Sequence, residues 1–140
     1  MTETTVAIEA ACARLVVSYT HLVDGGRAAD IADLFAENGV WSSPQQRMKG
    51  RAALRAGFAS RQAQTERTSR HVCTNLLVDV VDADHATGLV YLSLYRHDGD
   101  DVGPAVPALI GDYRDTFVRT PDGWRFDERH LTVAFAGARP

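Results

Sequence analysis

The segments RHVCTNLLVDVV at residues 70–81 and ATGLVYLSLYR at residues 86–96 have the most regular strand pattern in the chain. Both are rich in β-branched and aromatic residues, and the Asp82-Ala83-Asp84-His85 segment between them is typical of a turn. They predict a long β-hairpin. A second turn signal, Thr120-Pro121-Asp122-Gly123, predicts another hairpin further along the chain.

Helical spacing dominates the chain before these strands. Apolar residues recur at helical intervals from about Thr5 to Asp24, and Gly25-Gly26 is a stop signal. The other elements predicted in this half are a helix at Ala28–Glu37, a brief strand at Val40–Ser42, a loop at Gln45–Gly50 and a helix at Arg51–Gln64. Helices first and long strands afterwards predict an α+β fold. We expect a curved, mostly antiparallel sheet wrapped around the N-terminal helices, as a cone with an internal pocket.

Length and composition restrict the class of protein. The 140 residues are 45% apolar and 24% charged, which predicts one domain over residues 1–140. A net charge of −3 gives no basic surface for nucleic acid. No apolar run approaches the ~20 residues of a membrane span, and the N-terminus lacks the pattern of a signal peptide. We therefore expect a cytoplasmic protein without nucleic-acid or membrane partners, and with Cys12 and Cys73 reduced.

Four residues suggest proton-transfer chemistry. Strand alternation predicts that His71, Cys73 and Asn75 share one face, so a base and an amide would enter the same space if that face lines a cavity. An imidazole with an ordinary pKa of about 6.5 can remove a proton from carbon near neutral pH. Asp24, at the end of the first predicted helix, is the candidate carboxylate that orients the imidazole. The predicted catalytic residues are therefore His71 and Asp24.

Each of these residues also has a structural interpretation. His71 could be a strand histidine bonded to the backbone, and Asp24 could simply precede a turn in water. Asn75 could occupy a backbone bulge instead of orienting substrate. Pocket lining is favoured over a nucleophilic role for Cys73, because no second base is near it in sequence. The ligand-type residues do not cluster along the chain, so no metal, nucleotide or flavin cofactor is expected.

Aromatic residues provide most of the candidate substrate contacts. Tyr91, Ser93 and Tyr95 share a strand face, and facing inward they would hydrogen-bond a developing oxyanion. Strand parity leaves their direction open. The predicted substrate-binding residues are Tyr19, Trp41, Asn75, Tyr91, Tyr95 and Tyr113. The expected ligand is a hydrophobic small molecule.

Five motifs in their order resemble the SnoaL-like, or nuclear transport factor 2-like, family. They are Tyr19…Asp24-Gly25-Gly26…Asp30, LFAENGVW at residues 34–41, RHVCTN at residues 70–75, GDYRD at residues 111–115 and DGWRF at residues 122–126. Each motif is short, but together they span most of the chain. The resemblance implies the α+β cone.

The upstream aspartate and the His-x-x-x-Asn motif are most similar to the branch that contains scytalone dehydratase and hexachlorocyclohexane dehydrochlorinase. This resemblance implies that His71 is a general base and Asp24 its orienting carboxylate, acting without a cofactor. The implied reactions are dehydration, elimination, isomerisation or polyketide-type cyclisation. The second cavity histidine of the dehydratase has no match here.

Two other classes of function stay open. A non-catalytic small-molecule-binding protein would keep the pocket but place Asp24 and His71 too far apart to bond. A structural subunit, similar to the small subunits of ring-hydroxylating dioxygenases, would have a plugged pocket and a large exposed apolar patch.

The expected assembly is a homodimer or homotrimer, on the family resemblance and because an open curved sheet leaves an outer face that needs cover. The candidates for the covered face are Val78, Val80, Leu92 and Leu94. Asp115 and Arg129 are predicted to oppose each other across the last hairpin as a structural ion pair.

Overall fold

Helix α1, Thr5–Asp24, lies against a six-stranded sheet in the computed structural model, which describes residues 3–137. The Thr4 hydroxyl caps the helix by accepting a main-chain N–H of its first turn at 3.1 Å. At the other end the N–H of Gly25 closes the last turn, and Gly26 has a φ of +82°, which glycine adopts without strain. Both ends of α1 therefore lie where the sequence predicts them.

The sheet contains two short strands and four long ones. The elements after α1 are a 3₁₀ helix at Ala28–Leu34, β1 at Phe35–Ser42, β2 at Arg47–Lys49, α2 at Arg51–Gln62, β3 at Arg67–Asp82, β4 at His85–Asp98, β5 at Leu109–Thr120 and β6 at Gly123–Ala136. The strand order is β2-β1-β6-β5-β4-β3, and every neighbouring pair is antiparallel except β1 and β6. The predicted α+β fold, with its mostly antiparallel sheet and N-terminal helices, is confirmed.

Strand β1 begins where the sequence predicts the end of a helix, Ala28–Glu37. Phe35 is fully buried and pairs with Phe126 of β6, with the ring centroids 5.1 Å apart. Helical spacing cannot reveal this long-range contact, which outweighs the local preference. The predicted loop Gln45–Gly50 likewise contains β2, which pairs with β1 and buries Met48.

One face of α1 and the inner face of the sheet form the core. The buried residues of α1 are Ile8, Cys12, Leu15, Val16, Tyr19 and Val23. They recur every three or four residues, so a single stripe of the helix faces the sheet. Each large apolar side chain buried in this way contributes roughly 1.5–3 kcal/mol. This packing holds the C-terminal end of α1, and with it Asp24, against β3.

Helix α1 also meets the length and hydropathy criteria of a membrane span, with 20 residues and a mean hydropathy of 1.4. Length and mean hydropathy alone therefore do not exclude a membrane span at this segment. In the structure the apolar stripe of α1 packs against the sheet, as expected of a core helix. The absence of a membrane partner stays a prediction.

A β-bulge in β3 changes which side chains face the core. Asn75 has a φ of +56°, and the register of β3 against β4 shifts between Thr74 and Leu77. The extra residue reverses the strand alternation, so the inward positions are odd-numbered before the bulge and even-numbered after it. The prediction that His71, Cys73 and Asn75 share one face is therefore wrong for Asn75, which is exposed.

The residues predicted for a covered outer face lie on the inner side instead. Leu92 and Leu94 are buried beside the internal cavity, and the side chains of Val78 and Val80 pack against the core. The large apolar side chains that β3 and β4 expose are Val72, Leu77, Val81 and Tyr91. The homodimer or homotrimer stays a prediction, with these residues as the new candidates for its interface.

Candidate active site

The carboxylate of Asp24 and the imidazole of His71 form a short hydrogen bond, with 2.7 Å between Oδ1 and Nδ1. Asp24 is the last residue of α1 and His71 lies in the first half of β3, so helix–sheet packing brings them together. Oδ2 of Asp24 also accepts the main-chain N–H of His71 at 2.9 Å. The side chain of Asp24 is only 14% exposed and that of His71 only 11%, which shields the pair from bulk water.

Three hydrogen bonds converge on the Asp24 carboxylate. Besides the two from His71, Oγ of Ser69 donates to Oδ1 at 2.8 Å. Burial acts to raise the pKa of Asp24, but the bonds from His71 and Ser69 stabilise the anion and outweigh it. The pKa of Asp24 therefore lies below its ordinary value, and the residue is ionised at neutral pH.

An ionised Asp24 fixes the tautomer of His71. Because Asp24 can only accept, Nδ1 of His71 carries the proton, and the lone pair of Nε2 is the basic site of the neutral ring. His71 lines a cavity between the helices and the sheet, and its Nε2 has no hydrogen-bond partner within residues 3–137. This arrangement is suited to a general base whose imidazolium is stabilised by a fixed neighbouring anion.

The cavity beside His71 has a volume of about 310 Å³ and lies between the helices and the inner face of the sheet. This is at the lower end of the range of about 300–1,000 Å³ for small-molecule sites. Its apolar wall consists of Val23, Met48, Phe58, Leu92, Leu94, Leu109 and Leu131. Gly57 allows α2 to approach β2, because a Cβ at this position would collide with the sulfur of Met48.

Three of the predicted substrate-binding residues line this cavity: Tyr19, Trp41 and Tyr113. Nε1–H of Trp41 donates to the Tyr19 hydroxyl at 3.1 Å, and the Tyr19 ring packs edge-on against the rings of Tyr113 and His71. Burial raises the pKa of both Tyr19 and Tyr113. Both hydroxyls therefore keep their protons over the physiological pH range.

The other three predicted substrate-binding residues, Asn75, Tyr91 and Tyr95, are not among the residues that line the cavity. The bulge in β3 leaves Asn75 exposed, which matches its structural interpretation. The neighbours of the tyrosines, Leu92 and Leu94, point inward, so strand alternation places both tyrosines on the outer face. Strand parity groups the two tyrosines correctly but cannot say which face is inside, and it fails for Asn75 because of the bulge.

Five polar residues of the cavity belong to no motif in the sequence: Gln46, Arg61, Arg67, Ser69 and Arg96. Nη2 of Arg61 donates to Oγ of Ser69 at 2.9 Å, and Ser69 in turn donates to Asp24. Arg67 and Ser69 have the same strand parity as His71, which is the signal that could have identified them. Arg61 lies on α2, and no sequence signal connects it with the pair.

A second charged pair is buried in the core. Asp115 and Arg129 face each other on β5 and β6 as predicted, with 3.0 Å between Oδ1 and Nε. The geometry is that of an ionic contact without an aligned hydrogen bond, and the guanidinium carbon lies 3.6 Å from the ring centroid of Tyr113. Burial raises the pKa of Asp115 to about 6, against the attraction of Arg129. Aromatic faces thus replace part of the solvation of the arginine.

Neither cysteine has the environment of a nucleophile. Burial, followed by the charges of Asp115 and Glu3, raises the pKa of Cys12 to about 12. Burial also raises the pKa of Cys73. Cys73 packs against the core, so the prediction that it lines the cavity is wrong. Both thiols therefore stay protonated. Within residues 3–137, no group of three or more His, Cys, Asp or Glu side chains is placed to hold a metal ion.

The fold and the site together define a small α+β cone protein with an internal cavity and an Asp–His pair at its wall. The chain belongs to the family of SnoaL-like domains, whose model matches residues 4–130. The resemblance stated from the sequence motifs is thereby confirmed.

Solved structures share this fold at low sequence identity. An NTF2-like protein with a cystatin-like fold from Novosphingobium aromaticivorans is 26% identical, with a TM-score of 0.82 over 95% of this chain and 86% of the other. A putative scytalone dehydratase from Novosphingobium aromaticivorans DSM 12444 is 22% identical, with a TM-score of 0.80 over 94% and 87%. ActVI-ORFA from Streptomyces coelicolor is 21% identical, with a TM-score of 0.77 over 90% and 97%. No curated protein matches the chain in sequence.

Proposed function

We propose that this protein is a cofactor-independent enzyme of the lyase or isomerase type, acting on a hydrophobic small molecule. The observation that carries the proposal is the 2.7 Å hydrogen bond between Asp24 and Nδ1 of His71 at the cavity wall. It leaves Nε2 of His71 to remove a proton from a substrate carbon, while Asp24 stabilises the imidazolium. The electron pair of the broken C–H bond stays on the substrate as an enolate or expels a leaving group.

The aromatic side of the cavity supports the same step. A developing enolate oxygen needs hydrogen-bond donors that are already in place, and Tyr19 and Tyr113 are protonated hydroxyls beside His71. Trp41 occupies one acceptor position of the Tyr19 oxygen, so the hydroxyl proton of Tyr19 is available to another acceptor. Protonation, ring closure or loss of a leaving group would then give isomerisation, cyclisation, or dehydration and elimination.

The two alternative functions have less support. A non-catalytic binding protein predicts that Asp24 and His71 are too far apart to bond, whereas they lie at hydrogen-bond distance. A structural subunit predicts a plugged pocket and a large exposed apolar patch. Strands β3 and β4 do expose apolar side chains, but the pocket is a cavity of about 310 Å³ beside His71. Both differences favour an enzyme.

The test is hydrogen–deuterium exchange into 2-tetralone, a neutral bicyclic ketone with acidic C–H bonds, followed by NMR in D₂O. The wild-type protein should accelerate the exchange, and His71→Ala should lower this acceleration by about 10²–10⁴-fold. His85→Ala is the matched control, because His85 Nδ1 bonds to Asp82 at 2.8 Å on the exposed surface, outside the cavity. Exchange no faster with wild-type protein than with His71→Ala would refute the proposal.

A further inference from the structure

One side of the cavity is cationic. Arg61 from α2, Arg67 from β3 and Arg96 from β4 all line it, and we call these three residues the arginine rim. Arg67 is neutralised by a bidentate contact with Asp98, at 2.8 and 3.1 Å. Neither Arg61 nor Arg96 forms a salt bridge to an acidic residue within the described part of the chain.

The positive charge of Arg61 is not fully compensated. Arg61 donates a hydrogen bond to the neutral hydroxyl of Ser69, and its side chain is half-buried. Burial and then the nearby cation Arg67 lower the pKa of Arg61, and the anions Asp24 and Asp98 offset this only in part. Arg96 is exposed and adds a second cation without a salt bridge at the same side of the cavity. An anion placed among such like charges stabilises them.

We propose that the arginine rim binds an anionic group of the substrate, so that the substrate class is a cyclic or aromatic carboxylate. The inference deepens the proposed function and rests on it for the position of the reacting carbon. A guanidinium pairs with a planar carboxylate through charge-assisted hydrogen bonds, which are stronger than those between neutral groups. The apolar wall of the same cavity would hold the carbon skeleton.

Strand register sets how the two parts of such a substrate are arranged. Ser69 of β3 pairs with Arg96 of β4, and two residues further along both strands His71 pairs with Leu94. Two residues of strand correspond to about 6.6 Å. When the substrate carboxylate lies at the level of Arg96, a substrate carbon about one ring away from it lies at the level of His71, beside the buried Leu94.

The competing interpretation is that the rim only keeps Asp24 ionised through the contact from Arg61 to Ser69. That interpretation leaves Arg96 as an exposed, solvated charge, because its guanidinium makes no hydrogen bond with Ser69 or Asp24 within residues 3–137. It also predicts no preference of the cavity for an anionic ligand over a neutral ligand of the same shape.

The experiment compares 1-naphthoate with 1-naphthamide, a neutral analogue of nearly equal size, by isothermal titration calorimetry at pH 7. Naphthoate should bind at least about tenfold more tightly to the wild-type protein, and added salt should weaken this preference. Arg96→Gln and Arg61→Gln should each lower the naphthoate affinity about tenfold and leave the naphthamide affinity nearly unchanged.

Arg70→Gln is the matched control, because it removes the same charge from the opposite face of β3, between Ser69 and His71, and Arg70 does not line the cavity. Equal affinity for both compounds, no binding of naphthoate, or wild-type naphthoate affinity in Arg96→Gln would overturn the proposal. Naphthoate binding involves no proton transfer, so its failure is distinguishable from failure of the 2-tetralone exchange test.

Discussion

Asp24 binds His71 through two atoms at once, with Oδ1 on the ring Nδ1 at 2.7 Å and Oδ2 on the main-chain nitrogen at 2.9 Å. The main-chain contact joins the end of α1 to β3, and the ring contact sets which imidazole nitrogen is basic. One carboxylate thus couples the packing of the helix on the sheet to the tautomer of the candidate base.

This coupling predicts that Asp24 and His71 act as a unit. His71→Ala removes the base, and Asp24→Asn removes the charge that stabilises imidazolium, so each should lower 2-tetralone exchange by about 10²–10⁴-fold. The double variant should be little worse than either single variant. A double-mutant cycle on the exchange rate, with melting temperature measured in parallel, checks this. Additive losses would mean that the two residues do not form a dyad.

The sequence identified the parts of this site that depend on local signals. The Gly25-Gly26 stop gives the end of α1 and so the place of Asp24, and the strand pattern gives His71. The sequence leaves open whether Asn75 orients substrate or occupies a bulge, because a left-handed backbone conformation at asparagine carries no periodic signal. Arg61 was missed, since it reaches the pair only through the packing of α2 near β3.

The fold, like the site, is predictable where local signals decide it and not where long-range contacts do. The hairpins and α1 follow from short-range periodicity and turn chemistry, and the structure has them close to their predicted bounds. The start of β1 depends on parallel pairing with β6, which is about 90 residues away in sequence. Local propensity at Phe35–Gly39 could not contain that information.

Stability should depend on pH through Asp115. Burial raises the pKa of Asp115 from 3.8 to about 6 in the folded protein. Between these pH values the folded state retains a proton that the unfolded state releases, so this contribution is fully present below about pH 4 and is lost as pH rises through 6. Asp24, whose pKa is lowered, acts in the opposite direction below pH 3.8.

Urea denaturation at pH 4, 5, 6 and 7 measures this effect. The free energy of unfolding of the wild-type protein minus that of Asp115→Asn should fall over this range, because the variant lacks the titrating carboxyl. A difference that is constant with pH would show that the Asp115 proton does not contribute to folding.

Arg129→Met should destabilise the protein by about 3–5 kcal/mol at pH 8, because it leaves the Asp115 carboxylate buried without a counter-charge. Replacing both residues, as Asp115→Leu with Arg129→Met, should cost less than the single change. Chemical denaturation of the wild-type protein and these two variants tests this. A double variant that is less stable than Arg129→Met would mean that the shape and aromatic contacts of the guanidinium, not charge balance, dominate.

The assembly should be a homodimer or homotrimer that covers the exposed apolar residues of β3 and β4. Light scattering at micromolar concentration should give a mass two or three times the 15.3 kDa of one chain. Replacing Leu77 or Tyr91 by a charged residue should shift the protein towards the monomer, because both side chains are exposed in the single chain. A 15.3 kDa particle for the wild-type protein would contradict this prediction.

Tyr19→Phe should separate the structural role of this residue from its proposed role in the reaction. The change keeps the ring that packs against Tyr113 and His71 but removes the oxygen that accepts the Trp41 N–H. Loss of that bond should lower the free energy of unfolding by about 1 kcal/mol and alter the fluorescence of Trp41.

If the Tyr19 hydroxyl also donates to the enolate oxygen, 2-tetralone exchange should fall at least tenfold in Tyr19→Phe, under conditions in which the variant is fully folded. Tyr91→Phe is the control, since it removes the same hydroxyl from a side chain that is 47% exposed on the outer face. Full exchange activity in Tyr19→Phe together with the loss of stability would restrict Tyr19 to holding Trp41 in the cavity wall. The oxyanion contact would then have to come from Tyr113, whose hydroxyl also keeps its proton because burial raises its pKa.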